Sequence, residues 1–403
     1  MNSWSQYRIK DLGKFISTKT SDLTLPYIAL DNIVSWDAAF VSSESASDGN
    51  SVECEAGDIL FGKLRPYLAK GFITTEKSCC SSEFIVLRPN KDVVHNKYLL
   101  YYLLSITFIS YIKNLATGVK MPRTNWSQVG GSLISMPSLA EQEAIAAYLD
   151  KECEKIGRKI ELLERKTDAY SRLRRSLINR AVTRGLAPNV SLKPSGDKWI
   201  GDIPQHWGYE RVEKYFHNNT SYNKDFQYKH AFKFFKGTII HKDETFEEDE
   251  YQDTYEKYTI VEPNDIIING LNLNYDLKSM RVGKVTENGI ITSAYIVLRP
   301  YNNVYSDFFN YLFKAFDYRK FFHGMGKGIR LTLSFNELRY FEIPVPPIEE
   351  QKEIAAYLDE KCAKIDDILE KINTEVERLK ELKRSLINEV VTGQRAIETE
   401  SRS

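Results

Sequence analysis

The sequence predicts an α/β (α+β) protein in which two globular domains are separated by two long antiparallel coiled-coil helices, related by a pseudo-two-fold internal repeat. The first observation is that residues 141–150 return as residues 350–359, so each position recurs 209 residues later. The register then holds without an insertion to Val182 and Val391. Two further observations are a coiled-coil spacing of apolar residues in both copies and a set of short β-like runs before each copy.

Each copy of the repeat predicts one long helix, the first at residues 138–185 and the second at residues 347–394. Their apolar residues recur in alternating steps of three and four, which is typical of a coiled-coil seam. Ser138 and the glutamate three places on form a capping box, and Gly185 and Gly393 mark the helix ends. The predicted seam residues are Ile145, Leu149, Ile156, Leu163, Tyr170 and Leu177 in the first helix and Ile354, Leu358, Ile365, Ile372, Leu379 and Leu386 in the second.

The two predicted helices are expected to pair with each other. A single helix with such a stripe would expose it to water, and the nearest partner is the other copy. Each helix of roughly 45 residues would be about 65 Å long at 1.5 Å per residue. A parallel pair would force the intervening domain to span that whole length, so connectivity favours an antiparallel pair.

The helices divide the chain into five segments, and each globular domain is expected to contain short strands, an aromatic-rich helix and then a basic loop with glycine. The segments are a first globular domain at residues 1–137, a central helix at 138–185, a linker and second globular domain at 186–346, a C-terminal helix at 347–394 and a polar tail at 395–403. The strands are expected at residues 58–61 and 83–89 and at 265–268 and 294–300, and the helices at 97–114 and 307–322. The two domains share one architecture but differ in sequence, which indicates that they perform the same kind of task on two different targets.

Composition favours a cytoplasmic protein without a membrane segment. The five cysteines are scattered, which predicts reduced thiols and argues against a disulfide framework or a zinc site. The N-terminus has no signal-like apolar core, and the longest apolar run, residues 98–112, is too short to span a membrane. Basic and acidic residues balance at 55 each, so any nucleic-acid binding would depend on local patches.

The sequence shows no convincing catalytic motif. Residues 57–63 have the spacing of a phosphate-binding loop, but Leu64 stands where a magnesium-binding hydroxyl is needed, which favours a plain strand and turn. The glycines of residues 324–328 follow a helix, which favours a flexible loop over a dinucleotide site. The six histidines lack metal-ligand spacing, and the sequence has no nucleophile elbow and no Asn/Asp-Pro-Pro-aromatic tetrapeptide of an adenine methyltransferase. We predict that the chain is not an enzyme and binds no cofactor or metal itself.

Clusters of basic and amide side chains predict a DNA-binding surface in each globular domain. Lys and Arg neutralise phosphates, and Arg, Asn and Gln pair with base edges. The candidate DNA-binding residues are Lys63, Arg65, Lys70, Lys120, Arg123 and Asn125 in the first domain and Asn272, Asn274, Lys278, Arg281, Lys327 and Arg330 in the second. The alternative is that these are ordinary solvated charges. The acidic stretch at residues 244–253 would repel DNA and is expected to face away from it.

The repeats resemble the conserved regions of type I restriction–modification specificity subunits. The resemblance lies in Pro-Pro-Ile-Glu-Glu-Gln-x-x-Ile-Ala-Ala-Tyr-Leu-Asp at residues 346–359, in its partner at residues 137–150, in the Arg-Ser-Leu-Ile-Asn near each helix end, and in residues 57–70 and 199–207. It implies two α/β target-recognition domains, two antiparallel spacer helices and no catalysis by this chain. It also implies that S-adenosylmethionine, ATP and Mg²⁺ bind to partner subunits.

On this interpretation the chain is the sequence-recognition subunit of a type I complex and binds a bipartite, asymmetric DNA target. The implied partners are double-stranded DNA, two methyltransferase subunits recruited by equivalent helix ends, and motor/endonuclease subunits. Two other classes remain open: a stand-alone DNA-binding regulator without enzyme partners, and a coiled-coil scaffold whose end domains bind protein. Neighbouring genes would distinguish the first, and a gel shift with added methyltransferase would distinguish the second.

Overall fold

The computed structural model describes residues 4–43, 50–235, 237–242, 252–274, 280–328 and 331–397. The chain divides into two compact units, of which unit 1 comprises Met1–Arg165 and Ile372–Ser403 and unit 2 comprises Lys166–Lys371. Each unit therefore contains one globular domain together with the first part of one long helix and the last part of the other.

The globular domain of unit 1 is built on a four-stranded antiparallel sheet. Its elements are β1 Ser5–Arg8, β2 Gly13–Ile16, β3 Lys19–Thr20, β4 Tyr27–Ile28, β5 Ser51–Cys54, β6 Ile59–Gly62, β7 Gly71–Ile73, β8 Ser78–Cys80, β9 Phe84–Pro89, α1 Asn96–Leu103, α2 Ile106–Leu115, α3 Trp126–Gly131 and β10 Leu133–Met136. The main sheet has the order β2-β9-β6-β7, and a second sheet has the order β3-β5-β8-β4. The first strand, β1, pairs with the last, β10, so the domain closes just before the long helix begins.

Unit 2 repeats this plan with additional strands. The long helix α4, Leu139–Arg184, is followed by β11 Leu192–Pro194, β12 Asp202–Pro204, β13 Gly208–Arg211, β14 Phe216–Asn218, β15 Phe232–Phe235, β16 Thr238–His241, α5 Gln252–Tyr255, β17 Thr259–Val261, β18 Ile266–Ile268, β19 Val282–Lys284, β20 Gly289–Ile291, β21 Ile296–Pro300, α6 Ser306–Tyr318, α7 Phe321–Met325, α8 Phe335–Leu338, β22 Glu342–Val345 and α9 Ile348–Val391. Its main sheet, β14-β21-β18-β19, matches the sheet of unit 1 strand for strand, and β13 pairs with β22 as β1 pairs with β10.

The two long helices are confirmed, with 46 residues in α4 and 44 in α9. α4 begins after Ser138, whose Oγ accepts a hydrogen bond from the Glu141 backbone N–H at 3.4 Å. Gly185 and Gly393, just beyond the two ends, have φ of 72° and 74°. Glycine adopts this left-handed conformation without steric cost, which explains why the helices end there.

In each unit the beginning of one long helix packs against the end of the other. The shared core of unit 1 contains Ile145, Leu149 and Cys153 of α4 with Leu386, Ile387, Val390 and Val391 of α9. The core of unit 2 contains Ile178, Ala181 and Val182 of α4 with Ile354, Leu358 and Cys362 of α9. Further along, the Lys159 ammonium lies 2.9 Å from the Glu375 carboxylate in unit 1. Within each unit the order of contacts reverses between the helices, so the antiparallel prediction is confirmed.

The predicted seam residues are buried or half-buried. Buried are Ile145, Leu149, Ile354, Leu358, Ile365, Ile372, Leu379 and Leu386, and half-buried are Ile156, Leu163, Tyr170 and Leu177. All the half-buried members lie on α4, so its middle is less enclosed than that of α9.

The prediction of one continuous aromatic helix in each domain is wrong. In unit 1 the helix is interrupted at Ser105, whose hydroxyl accepts a hydrogen bond from the Phe108 N–H at 3.2 Å and so caps α2. In unit 2 Lys320 has a left-handed φ of 58°, which separates α6 from α7. The predicted strands, by contrast, correspond to β6, β9, β18 and β21. Among the described residues, no helix is both long and apolar enough to cross a membrane.

Candidate nucleic-acid interface

In unit 1 the structure brings the two predicted basic loops side by side. The loop after β6 pairs with the loop before α3: the Arg65 N–H donates to the Pro122 carbonyl at 2.7 Å, and the Thr124 N–H donates to the Lys63 carbonyl at 3.0 Å. The Lys63 N–H in turn donates to the Glu83 carbonyl at 2.8 Å. Three segments that are distant in sequence therefore form one edge of the domain.

The basic side chains of the first loop differ in the contacts that they make within the domain. The Lys70 ammonium donates to the Leu30 carbonyl at 2.7 Å and the Lys63 ammonium to the Ser82 carbonyl at 2.6 Å. Burial lowers the pKa of Lys63, although the Glu83 carboxylate opposes this shift. Arg65 is half-buried and has a left-handed φ of 49°. Such a conformation is unfavourable for a non-glycine residue, and functional loops are where it concentrates.

The second loop of unit 1 projects Lys120 into solvent. A bridge between Thr117 and Arg123 closes the loop, and Gly118 with φ of 103° allows the chain to turn there. Lys120 is exposed, and Val119 beside it is fully exposed at 101%. The Arg123 guanidinium donates two hydrogen bonds, both of 3.2 Å, to the Glu83 carboxylate. Arg123 is therefore oriented but still exposed, and Lys120 is the other exposed cation of this edge.

Asn125, a predicted DNA contact, has a structural role in the start of α3. Its side-chain oxygen accepts from the Gln128 N–H at 3.0 Å, and the Gln128 side chain accepts from the Asn125 N–H at 3.1 Å. This reciprocal pair is the capping box of α3. A substitution of Asn125 would therefore disturb the helix start as well as any base contact.

Unit 2 has the same loop construction with different side chains. Lys327 and Thr332 exchange backbone hydrogen bonds of 3.1 and 2.9 Å, as Thr117 and Arg123 do in unit 1. The following helix, α8, also starts with a capping box, between Ser334 and Glu337. The neighbouring loop approaches closely at Gly270, whose carbonyl oxygen accepts a hydrogen bond from the Leu333 backbone N–H at 2.9 Å. A Cβ on Gly270 would lie 2.3 Å from the Leu333 carbonyl oxygen, so this close approach requires glycine.

Arg281 holds this loop from inside. It is 2% exposed, and its guanidinium donates to the Leu271 carbonyl at 2.7 Å and to the Asn269 carbonyl at 3.2 Å. Its backbone N–H donates to the Asp317 carboxylate at 2.5 Å. A DNA contact by Arg281 remains a prediction, and its burial gives Arg281 a structural role in the loop.

The remaining candidates of unit 2 are more accessible or fall outside the described residues. Asn272 and Asn274 are exposed, and Asn272 has a left-handed φ of 49°. Lys327 is exposed and lies 3.4 Å from the Glu337 carboxylate. Lys278, Arg330 and most of the predicted acidic stretch, including Glu244, Glu247, Glu248, Asp249 and Glu250, lie outside the described residues.

An ion pair between a buried carboxylate and a more exposed guanidinium supports the main sheet of each unit. The Asp58 carboxylate, 1% exposed, accepts two hydrogen bonds of 2.8 Å from the Arg88 guanidinium. The Asp265 carboxylate accepts from the Arg299 guanidinium at 3.0 and 2.8 Å in the same way. Because Asp58 is committed to Arg88 and residues 59–62 form β6, the spacing that resembled a phosphate-binding loop belongs to β-structure.

Sequence reasoning missed exposed apolar side chains near the predicted cations. Val119 and Met121, which is 49% exposed, flank Lys120, and Tyr67, which is 38% exposed, lies in the neighbouring loop. Apolar side chains contact the thymine methyl group or wedge between bases, so they suit a DNA-facing edge. No spacing rule marks them; the only available signal was their place in loops rich in glycine and proline. Within the described ranges, no cluster of His, Cys, Asp or Glu could hold a metal ion.

Comparison with known proteins finds one family along most of the chain. The family model for the type I restriction modification DNA specificity domain matches residues 1–168 and again residues 201–378. Each match contains one globular domain and the beginning of the long helix that follows it.

Relatives and a solved structure agree with that match. A Methanocaldococcus jannaschii protein with the provisional name of type I restriction enzyme MjaX specificity subunit is 25% identical over 370 residues, 85% of this chain and 79% of that protein. The MjaVIII specificity subunit of the same organism is 22% identical over 428 residues, 97% of this chain and 92% of that protein. A chain from a structural study of complex assembly and conformational transition of the type I R-M system has a TM-score of 0.71 at 18% identity, covering 98% of this chain and 99% of that one. At that identity the likeness shows the fold alone.

Proposed function

This chain belongs to the type I restriction modification DNA specificity family, and we propose its function from that membership. It is the DNA sequence-recognition subunit of a type I restriction–modification complex and binds a bipartite, asymmetric double-stranded target through its two globular domains. The chain is non-catalytic, recruits two methyltransferase subunits, and works with motor/endonuclease subunits in the full complex. S-adenosylmethionine, ATP and Mg²⁺ bind to those partners, and the complex acts on DNA in the cytoplasm.

The observation that carries this proposal is the repeated loop construction. Both units present a paired loop edge that is built by the same hydrogen bonds and followed by a capping box, yet the exposed side chains differ. A common frame with different side chains is what recognition of two unlike half-sites requires, because phosphate contacts set the register and base contacts specify. Left-handed non-glycine residues occur in the candidate loops of both units, at Arg65 and at Asn272.

Replacing Lys120 and Arg123 by alanine tests the proposed edge of unit 1. Removing a phosphate-neutralising lysine and an arginine that can pair with a base edge should weaken binding to the native target about tenfold. The loss of the phosphate contact should also reduce the slope of log affinity against log salt concentration by about one. Scrambling the half-site that unit 1 reads should then cost the variant much less than it costs the wild type, whereas scrambling the other half-site should cost both equally. The measurement is a salt-dependent binding titration with each half-site scrambled in turn.

A matched control is available at the opposite end of β9. Lys10 and Lys91 are exposed, and the Asn90 N–H donates to the Leu12 carbonyl, which places both lysines at the far end of the strand from Glu83. Their replacement by alanine removes the same charge and should leave half-site discrimination unchanged. Unchanged affinity of the Lys120 and Arg123 variant for the native target would remove this loop from the proposal.

Two exposed leucines at equivalent repeat positions are candidates for docking the two methyltransferase subunits. Leu173 on α4 is 46% exposed and Leu382 on α9, 209 residues later, is 51% exposed. Exposed apolar side chains at equivalent points suit two copies of one partner. Leu173→Glu or Leu382→Glu alone should reduce the bound methyltransferase from two copies to one, and both together should abolish binding, as measured by native mass spectrometry.

Leu162 provides the control for this docking test. It is 58% exposed on α4, but its repeat partner is Lys371, so it cannot belong to an equivalent pair of apolar contacts. Leu162→Glu should retain two copies. If the chain binds no methyltransferase in any form but still binds a specific target, the stand-alone regulator is the better assignment.

A further inference from the structure

Each unit contains a second repeated contact, in which a basic pair near the end of a long helix holds an aromatic side chain of the globular domain. In unit 2 the pair is Arg174 and Arg175 of α4, and the aromatic residue is Tyr318, the last residue of α6. The Arg174 guanidinium donates to the Tyr318 hydroxyl at 2.9 Å. The Arg175 guanidinium lies 5.3 Å from the centre of the Tyr318 ring, within the range of a cation–π contact.

Unit 1 repeats this contact 209 residues later with a different aromatic residue. The basic pair is now Lys383 and Arg384 of α9, and the Arg384 guanidinium lies 4.9 Å from the centre of the Trp36 ring. The Lys383 ammonium forms an ion pair with Asp37, the next residue. Trp36 lies in a loop, whereas Tyr318 ends a helix, so the aromatic partners are not equivalent by sequence. The basic pair at this repeat position therefore contacts an aromatic side chain in both units, although the two aromatic residues come from different parts of the domain.

The loop that carries Trp36 is held in a conformation that requires support. Trp36 and Ala38 have φ of 64° and 55°, in the left-handed region that a bulky side chain rarely adopts. The Trp36 N–H donates to the Ala69 carbonyl at 3.0 Å, and the turn closes between Val34 and Ala39 at 2.9 Å. A strained loop persists where surrounding contacts over-determine it, and Arg384 supplies one such contact.

A second attachment connects each globular domain to the other long helix. In unit 1 the Tyr101 hydroxyl of α1 donates to the Asp150 carboxylate of α4 at 2.8 Å. In unit 2 the Tyr311 hydroxyl of α6 donates to the Asp359 carboxylate of α9 at 2.7 Å. Each domain is therefore attached to the beginning of one helix by a Tyr–Asp hydrogen bond and to the end of the other by the basic pair. These two polar contacts lie on different helices and add directional restraints to the apolar core that each domain shares with both helices of its unit.

We propose that the basic pairs Arg174-Arg175 and Lys383-Arg384 are positioning residues that fix the direction in which each recognition domain faces relative to its own pair of helices. The consequence for DNA rests on the proposed function: if each domain reads one half-site, these contacts determine how many unread base pairs the target tolerates between the half-sites. The guanidinium groups of Arg175 and Arg384 act through the aromatic ring and need not touch DNA.

The test measures the preference for gap length. One base pair changes the separation of two half-sites by about 3.4 Å and their relative rotation by about 35°. The wild type should prefer the native gap at least tenfold over a gap one base pair shorter or longer. Arg175→Gln with Arg384→Gln should reduce that preference below threefold while the affinity for the native gap falls less than tenfold. Replacement of both by lysine, which keeps the cation, should restore most of the preference.

The control is Arg172→Gln, an exposed cation of the same helix. It should keep the full gap preference. A uniform loss of affinity for all three DNAs by the double variant, with the tenfold preference intact, would mean that the contacts are merely structural and would overturn the proposal.

A measurement without DNA separates this proposal from the proposed function. All five native cysteines are buried, so spin labels can be placed at Val119→Cys and Leu162→Cys, both exposed and both within unit 1. Arg384→Gln should broaden the distance distribution between these labels, and Arg378→Gln, at an exposed cation of the same helix and the same unit, should not. An unchanged distribution would overturn the positioning role. A broadened distribution in a protein whose wild type has no gap preference would support it and count against the proposed function.

Discussion

At the scale of residues, the two units match at their buried polar groups even where the surrounding sequence differs. Gln142 and Gln351 each bind the proline carbonyl that precedes a long helix, at 3.1 and 2.9 Å. Each also accepts a hydrogen bond from a backbone N–H of its own globular domain, at 2.9 Å from His95 and at 3.2 Å from Tyr305. Each buried glutamine thus forms hydrogen bonds both to the residue that precedes its helix and to its globular domain, which fixes how the helix leaves the domain.

The Asp58–Arg88 pair gives a prediction about stability. Asp58→Asn should lower the free energy of unfolding by about 2 kcal/mol, because the buried carboxylate that accepts two charge-assisted hydrogen bonds loses its charge and no longer matches the guanidinium donors. Asp265→Asn should have a similar effect in unit 2. Urea unfolding would measure both, with Glu83→Gln as the control because the Glu83–Arg123 pair is exposed. An equal effect of all three substitutions would contradict this account.

The buried carboxyl group of Asp317 should make the stability of unit 2 depend on pH. Burial raises the pKa of its carboxyl above the ordinary value of 3.8, although the Arg281 N–H and nearby cations oppose the shift. The folded protein therefore binds more protons at this group than the unfolded chain does. Its contribution to stability is present below the unfolded pKa and is lost as the pH rises through the folded pKa.

Asp317→Asn should remove this dependence. The stability of the wild type relative to the variant should decrease between pH 4 and pH 7, because only the wild type must bury a newly ionised group as the pH rises. Urea unfolding at several pH values would measure the difference. A difference that stays constant across this range, or that grows in favour of the wild type, would contradict the argument.

At the scale of elements, the long helices depend on a few fully buried leucines. Leu149 and Leu358 are each 0% exposed, and each lies in the core that a globular domain shares with both helices of its unit. Leu149→Asp with Leu358→Asp would place a carboxylate in each core. The expected result is a loss of more than about 4 kcal/mol at each site and failure to assemble with the methyltransferase subunit.

Thermal unfolding followed by circular dichroism, together with co-purification, would measure this outcome. Leu162→Asp is the matched control, since Leu162 lies on the same helix but is 58% exposed. Normal co-purification of the double variant with the methyltransferase subunit would show that the helix ends are not what the partner requires.

The helices, their direction and the main strands could be predicted from the sequence because they follow from periodicity and repetition. The breaks at Ser105 and Lys320 could not, because a serine cap and a single left-handed residue are local backbone events within an otherwise apolar run. The candidate interface was predicted in outline, as loops that the structure brings together. The fate of individual cations was not predictable: Arg281 is buried against carbonyls, whereas Lys120 is exposed, and composition treats both alike.

At the scale of the whole molecule, the chain consists of two units with one plan. The main sheets have the same strand order, and β1 in unit 1 and β13 in unit 2 each pair with the strand that leads into the following long helix. The differences are concentrated in the loops and in the added strands of unit 2, such as the β15–β16 pair. Two domains with the same sheet but different loops favour a single DNA target whose two half-sites differ in sequence.

The central claim, that each globular domain specifies one half of a bipartite DNA target, is tested most directly by mapping methylated adenine across the host genome. The wild-type gene should produce one motif with two different halves and a fixed gap, and deletion of the gene should abolish it. Exchanging residues 4–137 for the matching domain of a relative should change one half of the motif and leave the other half and the gap intact. A motif that survives deletion, or that changes in both halves after this exchange, would contradict the account.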